Sequence, residues 1–218
     1  MRQVLLAHTL LRLNHSVIGI DNFDPFYPKS IKSKNIEYAV SQPDFELFEF
    51  DIRNTSDIES ILKNHKFYVI IHLAAKFGVR NSLANPEEYF NVNVNGILNL
   101  LEAMRKTNHK KLVFASSSSV YGNNEKVPFS ETDPVDFPIS PYSASKKAAE
   151  QLCYTYHHLY KIDVFALRFF SVYGPRQRSD MGIYKFLDSF NSKKPIKMFG
   201  DGESRRDYTF ISDIVQVR

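Results

Sequence analysis

The chain has 218 residues, of which 43% are hydrophobic and 24% charged, as in one globular domain or one domain with part of a second. The net charge of +4 is dispersed along the chain, which excludes the basic stripe of a nucleic-acid-binding protein but suits an anionic ligand. The single cysteine, Cys153, excludes an internal disulfide and indicates a reducing compartment. No apolar run approaches the ~18 residues that span a bilayer, and no signal peptide is recognisable, so we expect a cytoplasmic protein without a membrane partner.

Strand and helix patterns alternate along the chain. Five stretches have the apolar pattern of buried strands: residues 16–21, 45–50, 68–73, 112–115 and 164–170. Helical spacing covers residues 4–13, 56–64, 86–106 and the segment that begins at Tyr142. This alternation predicts an α/β fold with a doubly wound parallel sheet and right-handed crossovers.

Local signals set several of the predicted boundaries. Ser56 and Glu59 have the spacing of a capping box, and the pair 85–86, Asn followed by Pro, is typical of a helix start. Residues 22–43 and 127–141 contain prolines and are predicted to be loops, the first of them with one short helix.

Three residues inside the predicted elements are unusual for their positions. His72 lies in an apolar run that is typical of a strand buried on both faces, and no His, Cys and carboxylate cluster has zinc spacing. We therefore interpret His72 as a core histidine and expect no metal site. Asn93 and Gly96 are polar and small on a mostly apolar helix face. They predict an amide that braces a loop and a close approach of the backbone to a neighbour.

Small or polar residues lie where the predicted strands end. They are Asp21, Asp51, the segment 74–76, Ser117 and Ser171. Because parallel strands bring their carboxyl ends to one edge of a sheet, where such folds bind ligands, the set predicts a ligand site there. Asp21 is placed like the acid that binds a ribose hydroxyl in doubly wound folds, although a cap or turn would explain this residue alone equally well.

Tyr142 and Lys146 are four residues apart on one predicted helix, so their side chains lie on one face. An ammonium beside a phenol favours the phenolate and lowers its pKa from about 10, which prepares a tyrosine to take a proton from a sugar hydroxyl. The spacing also occurs on ordinary surface helices. The serine-rich residues 115–122 at the end of the fourth predicted strand favour the catalytic interpretation.

Further segments carry a resemblance to a known family. They are Asp21–Tyr27 (DNFDPFY), Gly78–Arg80 (GVR), Phe169–Pro175 (FFSVYGP), Gly200–Gly202 (GDG) and Arg206–Tyr208 (RDY). With Tyr142, Lys146 and the serine-rich turn, they resemble the extended short-chain dehydrogenase/reductase family over nearly the whole chain. Within that family they are most similar to NAD-dependent nucleotide-sugar 4-epimerases that act on UDP-glucuronate or UDP-galacturonate.

The resemblance implies a Rossmann domain that holds and recycles NAD, and C4 epimerisation of a UDP-sugar through a 4-keto intermediate. Tyr142 would take the C4 hydroxyl proton, Lys146 would lower the Tyr142 pKa and bind the nicotinamide ribose, and Ser117 would hold the C4 oxygen. Other residues would line the cofactor cleft: Asp21, Asp51, Ile52, Ala74, Lys76, Asn93 and Phe170. The substrate would meet Ser118, Ser171, Arg178 and Arg206.

The serine-rich residues 115–122 also help to distinguish between the reaction types of the family. Dehydratases of this family carry an Asp-Glu pair where this chain has Ser118 and Ser119, and decarboxylases tend to carry a glutamate there. The resemblance therefore favours epimerisation over dehydration or decarboxylation. The sugar stays open between uronates and neutral hexoses, because Arg178 would serve a phosphate as readily as a carboxylate.

The glycine-rich fingerprint of the family, G-x-x-G-x-x-G, is absent from the sequence. In such folds this turn brings backbone N–H groups and a helix N-terminus to the pyrophosphate. We expect a chain truncated at both ends, with an incomplete NAD-binding Rossmann domain over residues 1–175 that lacks its first strand. Residues 176–218 would begin a substrate-binding region that is mostly absent. Two hypotheses follow: the middle of an active epimerase, which would pair as a homodimer as relatives do, or a catalytically inactive remnant.

Overall fold

The computed structural model describes residues 2–196, 201–203 and 205–216, and Gly200 of the predicted GDG motif lies outside them. The chain divides into two compact units. The first unit consists of Met1–Gly19, Phe23–Leu47 and Phe170–Arg218, and the second of Ile20–Asn22 and Phe48–Phe169. This division does not follow the predicted domains 1–175 and 176–218, which remain a prediction.

Helices and strands alternate along the described residues, as the sequence predicts. The helices are α1 (Arg2–Arg12), α2 (Lys29–Val40), α3 (Thr55–Asn64), α4 (Val79–Ala84), α5 (Pro86–Phe90), α6 (Gly96–Thr107), α7 (Pro141–Tyr160), α8 (Gly182–Asn191) and α9 (Ile211–Ile214). The strands are β1 (Val17–Ile20), β2 (Phe45–Phe48), β3 (Ile70–His72), β4 (Lys111–Ser117), β5 (Asp163–Phe169), β6 (Ser171–Tyr173) and β7 (Tyr208–Phe210). None of these helices is long and apolar enough to cross a membrane.

A parallel sheet in the order β3-β4-β5 lies at the centre of the second unit. β4 pairs with β5 from Lys111 to Ser117, whereas β3 pairs with β4 over three residues only and lies at the edge of the sheet. Parallel strands joined through helices are the Rossmann-like arrangement that the sequence predicts.

The core of the second unit forms where α3, α6 and α7 pack with the sheet. Ile97, Leu101 and Met104 repeat at helical spacing along α6 and are fully buried, as are Leu112 and Phe114 of β4. Burying an aliphatic or aromatic side chain of this size stabilises a fold by about 1.5–3 kcal/mol. This core therefore fixes β4 against the helices, and the serine-rich residues 115–122 lie at the carboxyl end of β4.

The first unit contains two smaller sheets, β1-β2 and β6-β7. β6 and β7 run parallel from the pair Ser171–Tyr208 to the pair Tyr173–Phe210. The sequence did not predict these two strands or α4 and α8. Strands of three residues are too short to show a period of two, which is the signal that sequence reasoning uses.

Two predicted helix boundaries need correction. The predicted capping box of Ser56 and Glu59 is wrong, because α3 begins after Asn54 and Ser56 lies inside the first turn. The hydroxyl of Ser56 donates to the Asn54 side chain at 2.8 Å, and Glu59 accepts a hydrogen bond from Lys106 at 2.5 Å. The helix expected within residues 22–43 is also longer than predicted, with 12 residues in α2.

The predicted helix over residues 86–106 is interrupted by a π-helical turn at Asn91–Asn95 that separates α5 from α6. Gly96 begins α6 and allows a close approach, because a Cβ there would lie 3.0 Å from Ile52 Cγ1 and closer still to its Cδ1. The predicted close approach at Gly96 is confirmed.

We expect Gly96→Ala to destabilise the protein by about 1–3 kcal/mol, since the added methyl group forces Ile52 out of its packed position. Gly182→Ala is the matched control, because a Cβ at Gly182 meets nothing within 4 Å and alanine favours a helix by up to about 1 kcal/mol. Urea denaturation measures both variants. Equal stability of Gly96→Ala and the parent chain would contradict the close contact.

Candidate active site

The site is built on α7, which carries Tyr142 and Lys146 as the sequence predicts. The helix begins after Ser140, whose hydroxyl accepts the Ser143 N–H at 3.1 Å, while the Ser143 hydroxyl accepts the Ser140 N–H at 3.0 Å. This reciprocal capping box fixes the first turn and thus the face on which Tyr142 lies. Sequence reasoning missed it, because a serine takes the place of the usual glutamate or glutamine; the Ser-Pro pair at residues 140–141 was the available signal.

Lys146 is buried at the carboxyl end of β4. Its ammonium donates to the Ala115 carbonyl at 2.8 Å and lies 5.1 Å from the centre of the Phe114 ring. A buried cation needs such partners, because its desolvation is otherwise costly. This contact holds α7 against β4 at Ala115, which lies two residues before Ser117, the predicted catalytic serine.

Ser117 ends β4 and begins a 3-10 turn over Ser118–Tyr121. Its side chain is buried; the hydroxyl accepts the Ser119 N–H at 3.2 Å and donates to the Ser119 hydroxyl at 3.0 Å. We call residues 117–121 the serine turn. The turn therefore presents hydroxyls at the carboxyl end of a parallel strand, the place where such folds bind ligands.

Tyr142 is half-buried at the start of α7, and its ring packs edge-on against Tyr89 with 6.1 Å between ring centres. The Tyr89 hydroxyl donates to the Phe77 carbonyl at 2.5 Å, which ties α5 to the loop after β3. The Tyr142 carbonyl accepts a hydrogen bond from Ser145 at 2.8 Å. These contacts fix the position of the Tyr142 ring.

Asn93 is fully buried on the π-helical turn and braces the loop after β3. Its side-chain oxygen accepts the Lys76 N–H at 2.7 Å, and its amide nitrogen donates to the Lys76 carbonyl at 3.0 Å and to Ser145 at 2.9 Å. The bracing amide predicted at Asn93 is thus confirmed. The network joins the loop that holds Ala74 and Lys76 to α7, one turn from Tyr142.

Asp21 and Asp51, two of the residues predicted to line the cofactor cleft, also lie in the second unit. The Asp51 carboxylate accepts hydrogen bonds from the Arg53 guanidinium at 2.8 Å, the Arg53 N–H at 2.9 Å and the Asn22 amide at 2.8 Å. The Arg53 guanidinium is the largest influence and, with the other donors, lowers the pKa of Asp51 to about 2. Asp21, next to Asn22, donates its N–H to the Phe48 carbonyl at 3.2 Å. Asp21 and Asp51 therefore lie at neighbouring strand ends, as expected.

His72 is buried beside Phe114, with ring centres 6.0 Å apart. Burial is the larger cause, and Lys146 the smaller one, of a pKa lowered to about 3. The ring is therefore neutral at physiological pH, which confirms the interpretation of His72 as a core histidine.

Four predicted site residues belong to the first unit: Phe170, Ser171, Arg178 and Arg206. Arg178 forks onto Asp180, with N–O distances of 2.8 and 3.1 Å. Arg206 is exposed and donates to the Arg205 carbonyl at 2.6 Å. The roles of these residues remain predictions, and the Asp180 partner of Arg178 was not anticipated.

Comparison with known proteins identifies the family. A model of the NAD dependent epimerase/dehydratase family matches residues 5–217. The chain is 44% identical over 207 residues to a UDP-glucuronate 4-epimerase of Thermodesulfobacterium geofontis, covering 95% of this chain and 64% of the relative. It is 41% identical over 212 residues to UDP-glucuronate 4-epimerase 1 of Arabidopsis thaliana, covering 95% of this chain and 49% of the relative.

A solved structure agrees with these relatives. The UDP-glucuronic acid 4-epimerase from Bacillus cereus, in complex with UDP-glucuronic acid and NAD, superposes with a TM-score of 0.88 at 36% identity. The match covers 97% of this chain and 67% of that structure, whereas the chain spans less than two thirds of the length of the two sequence relatives. The chain belongs to the NAD dependent epimerase/dehydratase family.

Proposed function

We propose that this chain carries the proton-transfer site of an NAD-dependent 4-epimerase of UDP-sugars, with a UDP-uronate as substrate. The main support is the hydrogen bond from the Lys146 ammonium to the Ala115 carbonyl. This bond holds α7, which carries Tyr142, against the end of β4, which carries Ser117. The names of the relatives, UDP-glucuronate 4-epimerases, favour a uronate over a neutral hexose.

The proton chemistry follows from the groups that α7 and the serine turn present. Tyr142 would take the proton of the C4 hydroxyl and would return it after the 4-keto sugar has rotated to present its other face. Ser117 would hold the C4 oxygen by a hydrogen bond throughout. General acid–base catalysis of this kind contributes about 10²–10⁴-fold to a rate.

NAD would supply the acceptor and donor of the C4 hydride. The residues present fit two parts of it: Asp21 lies at a strand end suited to the adenosine ribose, and Lys146 lies at the strand end suited to the nicotinamide ribose. Asn93 braces the loop after β3 through Lys76. The glycine-rich turn that binds a pyrophosphate in such folds is not among the 218 residues.

Arg178 is the residue we assign to sugar selection. Its guanidinium donates to both carboxylate oxygens of Asp180, which is also the geometry that a uronate carboxylate would need. A uronate would have to replace Asp180 or share the guanidinium with it. A homodimer and a cytoplasmic location are parts of the proposal that rest on the resemblance and on the single cysteine.

A second hypothesis is a catalytically inactive chain. The missing glycine-rich turn and the coverage of 64% of the T. geofontis relative favour it for the 218 residues on their own. Dehydration and decarboxylation are less favoured, because the serine turn offers hydroxyls at Ser118 and Ser119 rather than an acid and a base.

Product analysis tests the proposal. The 218-residue chain, and a chimaera in which the T. geofontis relative supplies the flanking segments, are incubated with NAD and either UDP-glucuronate or UDP-glucose. A C4 epimer of unchanged mass is the expected product. Loss of water or carbon dioxide would instead identify a dehydratase or decarboxylase. Turnover by the chimaera alone would support the inactive-chain hypothesis, and turnover of neither sugar by either protein would remove the epimerase assignment.

A further inference from the structure

A third side chain on α7 contacts the end of β4. Tyr142, Lys146 and Glu150 repeat every four residues, so they form one stripe on the helix. Lys146 binds the Ala115 carbonyl, and the Glu150 carboxylate accepts a hydrogen bond from the hydroxyl of Ser116. The stripe therefore binds Ala115 and Ser116, the two residues that immediately precede the serine turn.

Glu150 is itself held by Arg168 of β5. The two carboxylate oxygens of Glu150 accept hydrogen bonds from Arg168 Nε at 3.1 Å and from its terminal nitrogen at 3.0 Å. Both side chains are largely buried, with 9% of Glu150 and 19% of Arg168 exposed. The hydrogen bond to Glu150 is the largest of the influences that raise the pKa of Arg168. A forked, buried pair of this kind is the strong and geometrically specific form of ion pair.

Arg168 also reaches the far end of the serine turn. A terminal nitrogen of its guanidinium donates to the Tyr121 hydroxyl at 3.3 Å and to the Glu131 carbonyl at 3.3 Å. The guanidinium also lies 5.1 Å from the centre of the Tyr121 ring. One ion pair thus contacts Ser116, just before the turn, and Tyr121, its last residue.

We propose that the Glu150–Arg168 pair is a positioning device for the serine turn and thereby orients Ser117 toward the substrate. A 3-10 turn has poorer hydrogen-bond geometry than an α-helix and needs support from its surroundings. A displacement of about 1 Å in a catalytic group can cost about 10²-fold in rate. The catalytic meaning of the pair rests on the proposed function, whereas the positioning of the turn does not.

The chain offers a matched control pair elsewhere in the same unit. Glu102 accepts a fork from Arg105, at 3.1 and 2.8 Å, and a hydrogen bond from the Tyr156 hydroxyl at 2.5 Å. Glu102→Gln therefore breaks a second forked pair of arginine and glutamate in the same unit, one that is more exposed than Glu150–Arg168 and, among the described residues, makes no hydrogen bond or ion pair with the serine turn. Any loosening that follows the loss of Glu150 but not of Glu102 is specific to the turn.

Amide hydrogen exchange of the 218-residue chain tests the positioning directly. The reporters are the N–H groups of Ser119 and Gly122, which are bonded to Ser117 Oγ and to the Ser119 carbonyl, both at 3.2 Å. Ser116→Ala is expected to speed their exchange about ten- to a hundredfold, the factor that one hydrogen bond to a charged carboxylate is worth, and Glu150→Gln by more. Exchange over residues 97–104 in the core should stay at the parent rate, and Glu102→Gln should leave the turn unchanged.

Parent-like exchange of the serine turn in Ser116→Ala and Glu150→Gln would overturn the proposal. If Glu150→Gln unfolds the whole unit, the exchange rates of Ser116→Ala alone decide whether the pair positions the turn. This variant removes one hydroxyl and leaves the ion pair intact.

A kinetic arm uses the chimaera with UDP-glucuronate. Ser116→Ala and Tyr121→Phe should each lower kcat about tenfold with KM unchanged, the signature of a misplaced catalytic group. Unchanged kcat in both variants would refute the catalytic part of the proposal. If the parent chimaera shows no turnover, the proposed function fails, and the exchange rates still decide whether the pair positions the turn.

Discussion

Tyr142→Phe is expected to lower the turnover of UDP-glucuronate by about 10²–10⁴-fold with little change in KM, because the variant keeps the ring and loses the hydroxyl that we propose transfers the proton. The loss should be in kcat, since the proposed role of the phenol concerns the C4 proton rather than the nucleotide. Steady-state kinetics of the active form of the chain, alone or as the chimaera, measures the effect.

Tyr154→Phe is the matched control for this experiment. It removes a hydroxyl from the same helix at a side chain that is 68% exposed, so turnover and fold should both stay at the level of the parent. A Tyr142→Phe variant that turns over within about threefold of the parent would exclude this tyrosine from proton transfer.

The second large effect is expected on stability. Asn93→Ala removes three hydrogen bonds, two of them to the N–H and carbonyl groups of Lys76 in a partly buried loop. Because each lost hydrogen bond costs about 0.5–1.5 kcal/mol, the variant should lose about 2–4 kcal/mol in the free energy of unfolding. The loop of Ala74 and Lys76 should also exchange its amide hydrogens faster than in the parent.

Asn95→Ala supplies the comparison for Asn93. Asn95 lies on the same π-helical turn, but its side chain is exposed and bonds only to Asn91, at 3.2 Å, among the hydrogen bonds of the described residues. Its replacement should cost less than about 0.5 kcal/mol in urea denaturation. Equal losses for the two variants would mean that the turn itself, and not the amide of Asn93, stabilises the loop.

Much of the sheet could be predicted from apolar runs, because β4 is buried along most of its length and β3 is at least half-buried, and such strands need continuous apolar residues. β5 has an apolar run as well, although four of its seven residues are exposed. The roles of Asn93 and Gly96 could also be predicted, since a buried amide requires a hydrogen-bond partner and a glycine on an apolar face indicates a close contact. The π-helical turn at 91–95 could not be predicted from the sequence. The Asn93 amide on this turn finds its partners far away in the sequence, in the loop of Lys76 and on α7, so that no local pattern indicates the turn.

The candidate site shows the same division. The spacing of Tyr142 and Lys146 placed them on one helix face, but no sequence pattern revealed that Lys146 binds the Ala115 carbonyl. The partnership of Glu150 with Arg168 joins residues 18 apart on different elements, and only the packing of α7 on the sheet makes it. The four-residue repeat from Tyr142 to Glu150 indicates only that Glu150 lies on the same helix face as Tyr142 and Lys146.

The most direct measurement uses UDP-glucuronate that carries deuterium at C4, incubated with NAD and the active form of the chain. We expect both C4 epimers to accumulate with the deuterium retained at C4, because the hydrogen leaves and returns to the same carbon while Tyr142 moves only the hydroxyl proton. Replacement of the deuterium by hydrogen from solvent, or the absence of the second epimer from both the chain and the chimaera, would contradict C4 epimerisation at this site.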